Sequence, residues 1–296
     1  MSRIRNRSNS AMRFLRLTWR NPRLLFEEIS YRIRKRRRTK RLRSHFDQIV
    51  CSVPDGATLR LEHIEIPPRE QIPEPLAASA DNILAEAHEI IEHRMSFLGS
   101  GPLDYGPEID WLRDPVTGFR WPTGLHFDIQ VTDLSTNDDV KRVWELSRGH
   151  QLLTLARASR LDPLNDAPYI AEMVAQFDSW IDANPVGKTV NWTNAMEAGI
   201  RAANWLIAIG IAGEDRFPGA TLERVTRCLQ MHGRFIFNHL EGSPRMRSNH
   251  FVGDLLGLTM LGASIKGDVD AAVWLKASEK WFPREVSWQV YEDGCD

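Results

Sequence analysis

The chain has 296 residues, 42% of them apolar, which is enough for one large core or two domains and excludes a mainly disordered polymer. A net charge of −1 conceals two electrostatic bodies: residues 1–43 carry sixteen Lys and Arg against Glu27 and Glu28, a balance of +14, and the remainder carries −15. Cys51, Cys228 and Cys295 are far apart and odd in number, which argues against a disulfide framework or zinc ribbon, and no run of about twenty apolar residues exists to span a bilayer.

The basic section, to about residue 45, reads as helical from Asn21-Pro22 onward, because proline suits a first helical turn. Its run Arg32-Ile33-Arg34-Lys35-Arg36-Arg37-Arg38-Thr39-Lys40-Arg41 has two readings. It binds an anionic lipid surface, nucleic acid or an acidic polymer, or it docks as a basic helix on the acidic remainder. No interleaved aromatics or recognition motif point to a specific nucleic acid, while an anionic membrane surface stays open as a partner of residues 1–43. Arginines interrupt Phe14-Leu15-Arg16-Leu17-Thr18-Trp19-Arg20, so a secretory signal is not expected and the location reads as cytoplasmic or membrane-peripheral. Residues 46–80 read as a linker, in which a short alternating piece, Thr58-Leu59-Arg60-Leu61-Glu62-His63-Ile64, precedes Pro67-Pro68, Pro73 and Pro75.

Helical periodicity then covers 81–97, 139–161, 166–183, 192–211, 219–240, 250–263 and 270–290, with a long loop from Gly99 to Thr136. Sequential amphipathic helices with short connections pack as antiparallel hairpins, and hairpins curled into a ring make an α/α toroid. The expected fold is therefore all-α, with residues 81–296 as one toroidal domain. No fixed repeat period marks a regular solenoid.

The segment from Asn191 to Trp205 is the most informative. At helical spacing Asn191, Asn194, Glu197, Arg201, Asn204 and Trp205 share one stripe, which contains no lysine. A solvated face is usually rich in Lys and Glu, so amides, a Glu/Arg pair and an indole point to an inner helix lining a polar cleft. Trp144-Glu145-Leu146-Ser147-Arg148-Gly149-His150-Gln151 repeats the theme, with Glu145 and Arg148 at i,i+3; the alternative is an ordinary helix-surface salt bridge beside a core tryptophan. Ser248-Asn249-His250-Phe251-Val252-Gly253-Asp254 opens a helix, where an amide, an imidazole and unpaired N–H groups together suit a carboxylate. The loop tryptophans Trp111 and Trp121 suit sugar stacking and core anchoring equally well. His88 and His93 are five apart, not the four a helical zinc site needs, so neither a metal nor any cofactor is expected. The i,i+4 pairs His88/Glu92 and Glu89/His93 read as helix-surface support.

Taken in order, Ile109-Asp110-Trp111, Arg120-Trp121-Pro122, Trp144-Glu145-Leu146-Ser147-Arg148, Asn191-Trp192 with Ala195-Met196-Glu197 and Arg201-Ala202-Ala203-Asn204-Trp205, then Asn249-His250 with Asp254, strongly resemble the heparinase II/III-like polysaccharide lyase family over about residues 105–296. The basic Tyr31-Arg32-Ile33-Arg34 stretch also looks like the leader of bacterial members. The resemblance implies a toroid followed by a β-sandwich domain, and β-elimination on a uronic-acid-containing acidic polysaccharide. It assigns carboxylate binding to Asn249 with help from His250; from the polar stripe, Glu145, Arg148, Asn191, Asn194, Glu197, Arg201 and Asn204 are expected to line or buttress the cleft. Members continue past an Asp-Gly element into a Phe-Glu-x-Ser-x-x-Tyr-His motif, whose Tyr transfers the proton, and into the sandwich, which supplies a further His. This sequence stops at Asp293-Gly294-Cys295-Asp296, so the resemblance leads us to expect an incomplete toroid without those groups. Two other readings compete. One is a noncatalytic glycan-binding module with a basic N-terminus for a membrane or polyanion. The other is a toroidal glycoside hydrolase, which requires Glu145 and Glu197 to face each other across a cleft.

Overall fold

The computed structural model describes residues 22–292 apart from 63, 75, 133–134 and 243–247, together with Gly294. The basic residues of 1–21, and Asp293, Cys295 and Asp296 of the final Asp-Gly element, lie outside the described residues. The helices are α1 (Pro22–Phe46), α2 (Ala77–Ile91), α3 (Val140–Ser147), α4 (His150–Leu161), α5 (Ala167–Ala183), α6 (Ala195–Ala212), α7 (Gly219–His239), α8 (Asn249–Ser264) and α9 (Val269–Gln289). Strand among the described residues is confined to two short antiparallel pairs, Thr58–Leu59 with Ile265–Lys266 and Arg94–Met95 with Leu103–Asp104.

Each inner helix pairs with an outer one, α4 with α5, α6 with α7 and α8 with α9. Neighbouring pairs join through α4 against α6 and α6 against α8 on the inside, and through α5 against α7 on the outside. The architecture is an incomplete α/α toroid of antiparallel helical hairpins, carrying the basic helix α1. Side-chain caps fix several starts: Asn194 accepts from the Met196 N–H at 2.9 Å, Asp139 from Lys141 at 3.0 Å and Asp268 from Asp270 at 2.9 Å. The helices α6 and α8 run in the same direction, since Met196 lies against Gly253 and Gly199 against Gly257. Their positive N-terminal ends therefore meet at one end of the ring.

Several boundaries differ from the sequence pattern for local reasons. The single helix expected over 139–161 is broken at Arg148-Gly149, where Gly149 takes φ +78 and a Cβ would sit 3.1 Å from the Trp205 indole. The break turns the chain so that α4 can approach α6. Asn191 and Trp192 precede α6 in a single 3-10 turn, Val190–Trp192. At the end of α2, His93 takes φ +53 and its ring bridges Gly106 O at 2.6 Å and Glu172 at 3.1 Å, while Glu89 pairs with Arg94 at 2.6 Å. The helix stops at Ile91 because these partners lie off its axis, and the expected Glu89/His93 surface pair does not form.

Residues 46–80, which read as a linker, lie along the helical body. Besides the strand pairing, Arg60 N–H donates to Ser264 O at 2.8 Å, Ile64 N–H to Gly210 O at 3.2 Å and Leu61 N–H to the Glu214 carboxylate at 3.1 Å. Helix α1 docks through its last turns. Leu42, Phe46 and the following Val50 are buried, with Phe46 resting on Gly187, and Arg43 pairs with Asp128 at 2.8 Å. Arg34, Arg36, Arg37, Lys40 and Arg41 stay exposed on the opposite side.

Candidate functional site

The shared N-terminal end of α6 and α8 gathers the polar groups. Asn194 caps α6, and its Nδ2 lies 3.4 Å from His250 Nδ1 in the first turn of α8. Glu241, in the connection from α7, places one oxygen 3.3 Å from the same Nδ1 and accepts from the Met196 N–H with the other at 3.2 Å. A carboxylate beside Nδ1 favours the tautomer protonated there, which leaves the lone pair on Nε2. Asn249, the first residue of α8, is exposed, and His250 is half-buried. Ser248 stands at the cap position but bonds through its backbone, its O accepting from the Phe251 N–H at 3.0 Å.

One turn along α6 from Asn194, Glu197 takes both oxygens to Arg148, at 2.7 and 2.9 Å, and Arg148 also pairs with Glu145. This fork raises the Arg148 pKa, first through the Glu197 hydrogen bond, so the cation is fixed. Asn204 donates to Arg148 O at 2.9 Å and lies 3.3 Å from His150 Nδ1. Glu145 and Glu197 thus share one guanidinium. They do not face each other across open space as a hydrolase pair would.

The expectation that the whole stripe lines a cleft needs correcting. Asn191 and Arg201 are 0% exposed. Arg201 donates to His232 Nε2 at 2.9 Å and to Asn191 O at 3.2 Å, and its guanidinium lies 4.2 Å from the Trp180 ring centroid and 5.1 Å from that of Trp192. Asn191 donates to Trp111 O and to the Asn184 amide, each at 2.9 Å. The stripe lacks lysine because it is bonded inside the protein, where a flexible ammonium would lose its hydration. Trp111 and Trp121 are likewise core residues, 2% and 3% exposed, with the Trp111 N–H donating to Ser179 at 3.2 Å. No face of either ring is offered to a sugar.

Asp254, one turn after His250, is fully buried; one oxygen accepts from the Glu241 N–H at 2.7 Å and the other has no partner among the described residues. Burial, opposed in part by that N–H and reinforced by the Glu241 charge, pushes its carboxyl up to about 8. The folded chain therefore keeps a proton that the unfolded chain releases near pH 4, and stability from this group falls as pH rises from about 4 to about 8. Asp254→Asn is expected to gain on the parent between pH 5 and pH 8 in thermal melts. An equal difference at both pH values would show that Asp254 is ionised throughout.

Glu241 and the pair His126/His239 escaped the sequence pattern. Glu241 is a lone acid in a connection, nine residues before His250, and nothing in its neighbours marks it. The two histidines meet across 113 residues, Nε2 to Nε2 at 3.0 Å, beside Phe46, Phe127 and Phe235. Burial drives His126 down to about 4 and His239 to about 3, so both rings are uncharged at neutral pH. Among the described residues no group of three or more His, Cys, Asp or Glu is placed to hold a metal, and no helix is long and apolar enough to cross a membrane.

Comparison with known proteins gives the family of the chain. The profile described as the heparinase II/III N-terminus matches residues 33–296. The chain belongs to the heparinase II/III family. A curated relative is the heparin-sulfate lyase of Bacteroides stercoris, 23% identical over 228 residues, covering 70% of this chain and 31% of that protein. Two solved structures of a heparinase III gene product share the fold. One, with methylated lysines, has a TM-score of 0.53 at 17% identity and covers 79% of this chain and 35% of its own; the other has 0.52 at 18%, covering 79% and 34%. The chain spans about a third of the length of these heparinase II/III relatives.

Proposed function

We propose that this chain forms the toroidal side of a site for uronic-acid-containing acidic polysaccharide, in a protein that cleaves by β-elimination. The observation that supports it is the meeting of Asn249, His250 and Asn194 at the parallel N-terminal ends of α6 and α8, with Glu241 orienting the imidazole. In β-elimination a base takes the C5 proton, the electron pair forms the C4–C5 double bond, and the C4–O bond breaks with protonation of the leaving oxygen. A C5 proton beside an ionised carboxylate is poorly acidic, so the site must neutralise that carboxylate and stabilise the developing enolate. The Asn249 amide and the N–H groups opening α8 meet the carboxylate, and His250, its Nδ1–H held by Glu241, assists by accepting at Nε2 from a hydroxyl of the same sugar. Asn194 contacts the same sugar, Glu145, Arg148, Glu197 and Asn204 hold the wall in shape, and Asn191 and Arg201 buttress it from the core. The exposed cations of α1 suit an anionic membrane surface near the substrate.

Incubation with heparan sulfate, alginate and bacterial exopolysaccharides, followed by unsaturated-uronate absorbance and by direct binding, tests this reading. Saturable binding to at least one acidic polymer is expected, weakened on the order of tenfold by Asn249→Ala, while a neutral glucan does not bind. Absence of binding to every acidic polymer would overturn it. Binding without product would leave the carbohydrate site and remove the lyase reaction from this chain.

A further inference from the structure

A cavity of about 340 Å³ lies between α1 and the candidate site, at the small end of ligand-sized pockets. Helix α1 contributes Lys35, Arg38 and Leu42 to its lining, and the toroid contributes Phe127, Thr193 and Glu241 among others. It adjoins the carboxylate site directly, because Thr193 and Ala195 flank Asn194 and Glu241 is the residue that contacts His250.

The unusual member is Arg38. Its helical neighbours Arg32 and Arg43 each have a carboxylate, Glu28 and Asp128, both at 2.8 Å. Arg38 is half-buried and forms no hydrogen bond or ion pair among the described residues; the acidic groups that act on it, Tyr31 and the buried Asp254, do so through space. A guanidinium carries five donors, and withdrawing it from water without acceptors is costly unless a ligand supplies them. Lys35 is also without a carboxylate partner among the described residues; its ammonium lies 5.9 Å from the Tyr31 ring centroid. Glu241, the cavity's negative group, is already engaged by the Met196 N–H and lies beside His250, so it does not answer for Arg38. The Thr193 hydroxyl, which donates to Val190 O at 2.7 Å and can still accept, and the half-buried Phe127 ring complete a lining of cation, hydroxyl and ring that suits an acidic pyranose, while Phe235 is 1% exposed and stacked on His239.

We propose that this cavity is an accessory subsite of the acidic-sugar cleft, in which Arg38 and Lys35 hold the anionic substituent, carboxylate or sulfate, of a sugar residue adjoining the one at Asn249 and His250. The proposal rests on the function proposed above. It gives half-buried Arg38, with the exposed Lys35 at the rim, a role separate from the other cations of α1: the helix closes the cleft and supplies charge to it.

Calorimetric titration with a heparin oligosaccharide, its desulfated counterpart and an oligouronate tests the subsite in the full chain. Arg38→Gln is expected to weaken binding on the order of tenfold and to lessen its salt dependence, Lys35→Gln to weaken it less, and Arg38→Lys to recover part of the loss. Arg36→Gln, on the exposed side, is expected to change affinity less than twofold. A loss confined to the heparin arm assigns sulfate, and a loss shared by all three assigns carboxylate. Unchanged affinity of Arg38→Gln alongside loss in Asn249→Ala would overturn the subsite and keep the site. An equal loss from Arg36→Gln would overturn it as nonspecific charge. A parent chain that binds none of the three overturns both readings. Thermal melts of Arg38→Gln and Arg38→Lys guard against misfolding; if Arg38→Gln unfolds, full affinity in both Arg38→Lys and Lys35→Gln overturns the subsite.

Discussion

Replacing Arg201 by methionine is expected to destabilise the toroid by about 3–5 kcal/mol, the largest effect of any substitution in the polar stripe. The methionine fills most of the volume, so the loss comes from the partners left behind. His232 Nε2 and Asn191 O lose their donor in a region 0% exposed, where water cannot replace it. The rings of Trp180 and Trp192 lose the cation lying over them. Burial, chiefly by desolvation, lowers the Arg201 pKa to about 9, still above neutral, so the side chain remains a cation among these partners. Arg201→Lys is not expected to rescue, because an ammonium lacks the planar fork that reaches His232 and Asn191 while lying over the rings. Thermal unfolding followed by circular dichroism checks both variants. Melting temperatures equal to the parent's would show that the arginine is dispensable to the core and would reopen the expectation that it faces ligand.

Gly199→Ala is expected to cost about 2 kcal/mol or more and to weaken polysaccharide binding as well. Helix propensity alone favours alanine over glycine by about 1 kcal/mol, so the sign depends on packing. A Cβ at Gly199 would sit 2.5 Å from Gly253 O and 3.2 Å from its carbonyl carbon. Both are backbone atoms and cannot rotate away, so α6 and α8 must separate. Separation pulls Asn194 from His250, whose contact spans 3.4 Å. Gly253→Ala supplies an internal control, since its Cβ would meet the flexible Met196 side chain at 2.6 Å and a rotamer change can relieve it. The expected order of melting temperatures is parent, then Gly253→Ala, then Gly199→Ala, with oligosaccharide affinity in the same order. If Gly199→Ala melts at or above the parent, the close approach of the helices is not what sets their spacing.

The fold was legible because helix and hairpin signals are local. The periodicity of 166–183, 219–240, 250–263 and 270–290 places those elements within a few residues of where they lie. The clusters around Glu145/Arg148, Asn194/Glu197 and Asn249/His250 were also visible as unusual polar patterns. The structure joins them through the Arg148 fork and the Asn194–His250 contact. Direction was not legible. A buried polar stripe and a cleft-facing one have the same residue pattern, because both avoid lysine, and only the packing of Trp180, Trp192 and His232 around Arg201 separates them. Trp111 and Trp121 carried the same ambiguity, and the core resolved it toward anchoring.

By itself the sequence determined an all-α chain of hairpins, a strongly basic N-terminal helix and the polar residues from which a site is made, since these depend on spacing and composition along a few turns. Tertiary structure alone decided which of those residues meet. Glycines let α6 and α8 touch, and a left-handed Gly149 turns Arg148 onto Glu197. The docking of α1 brings Arg38 and Glu241, distant in sequence, to the lining of one cavity. Such contacts depend on backbone approach and burial between distant segments, and no local pattern in the sequence encodes them.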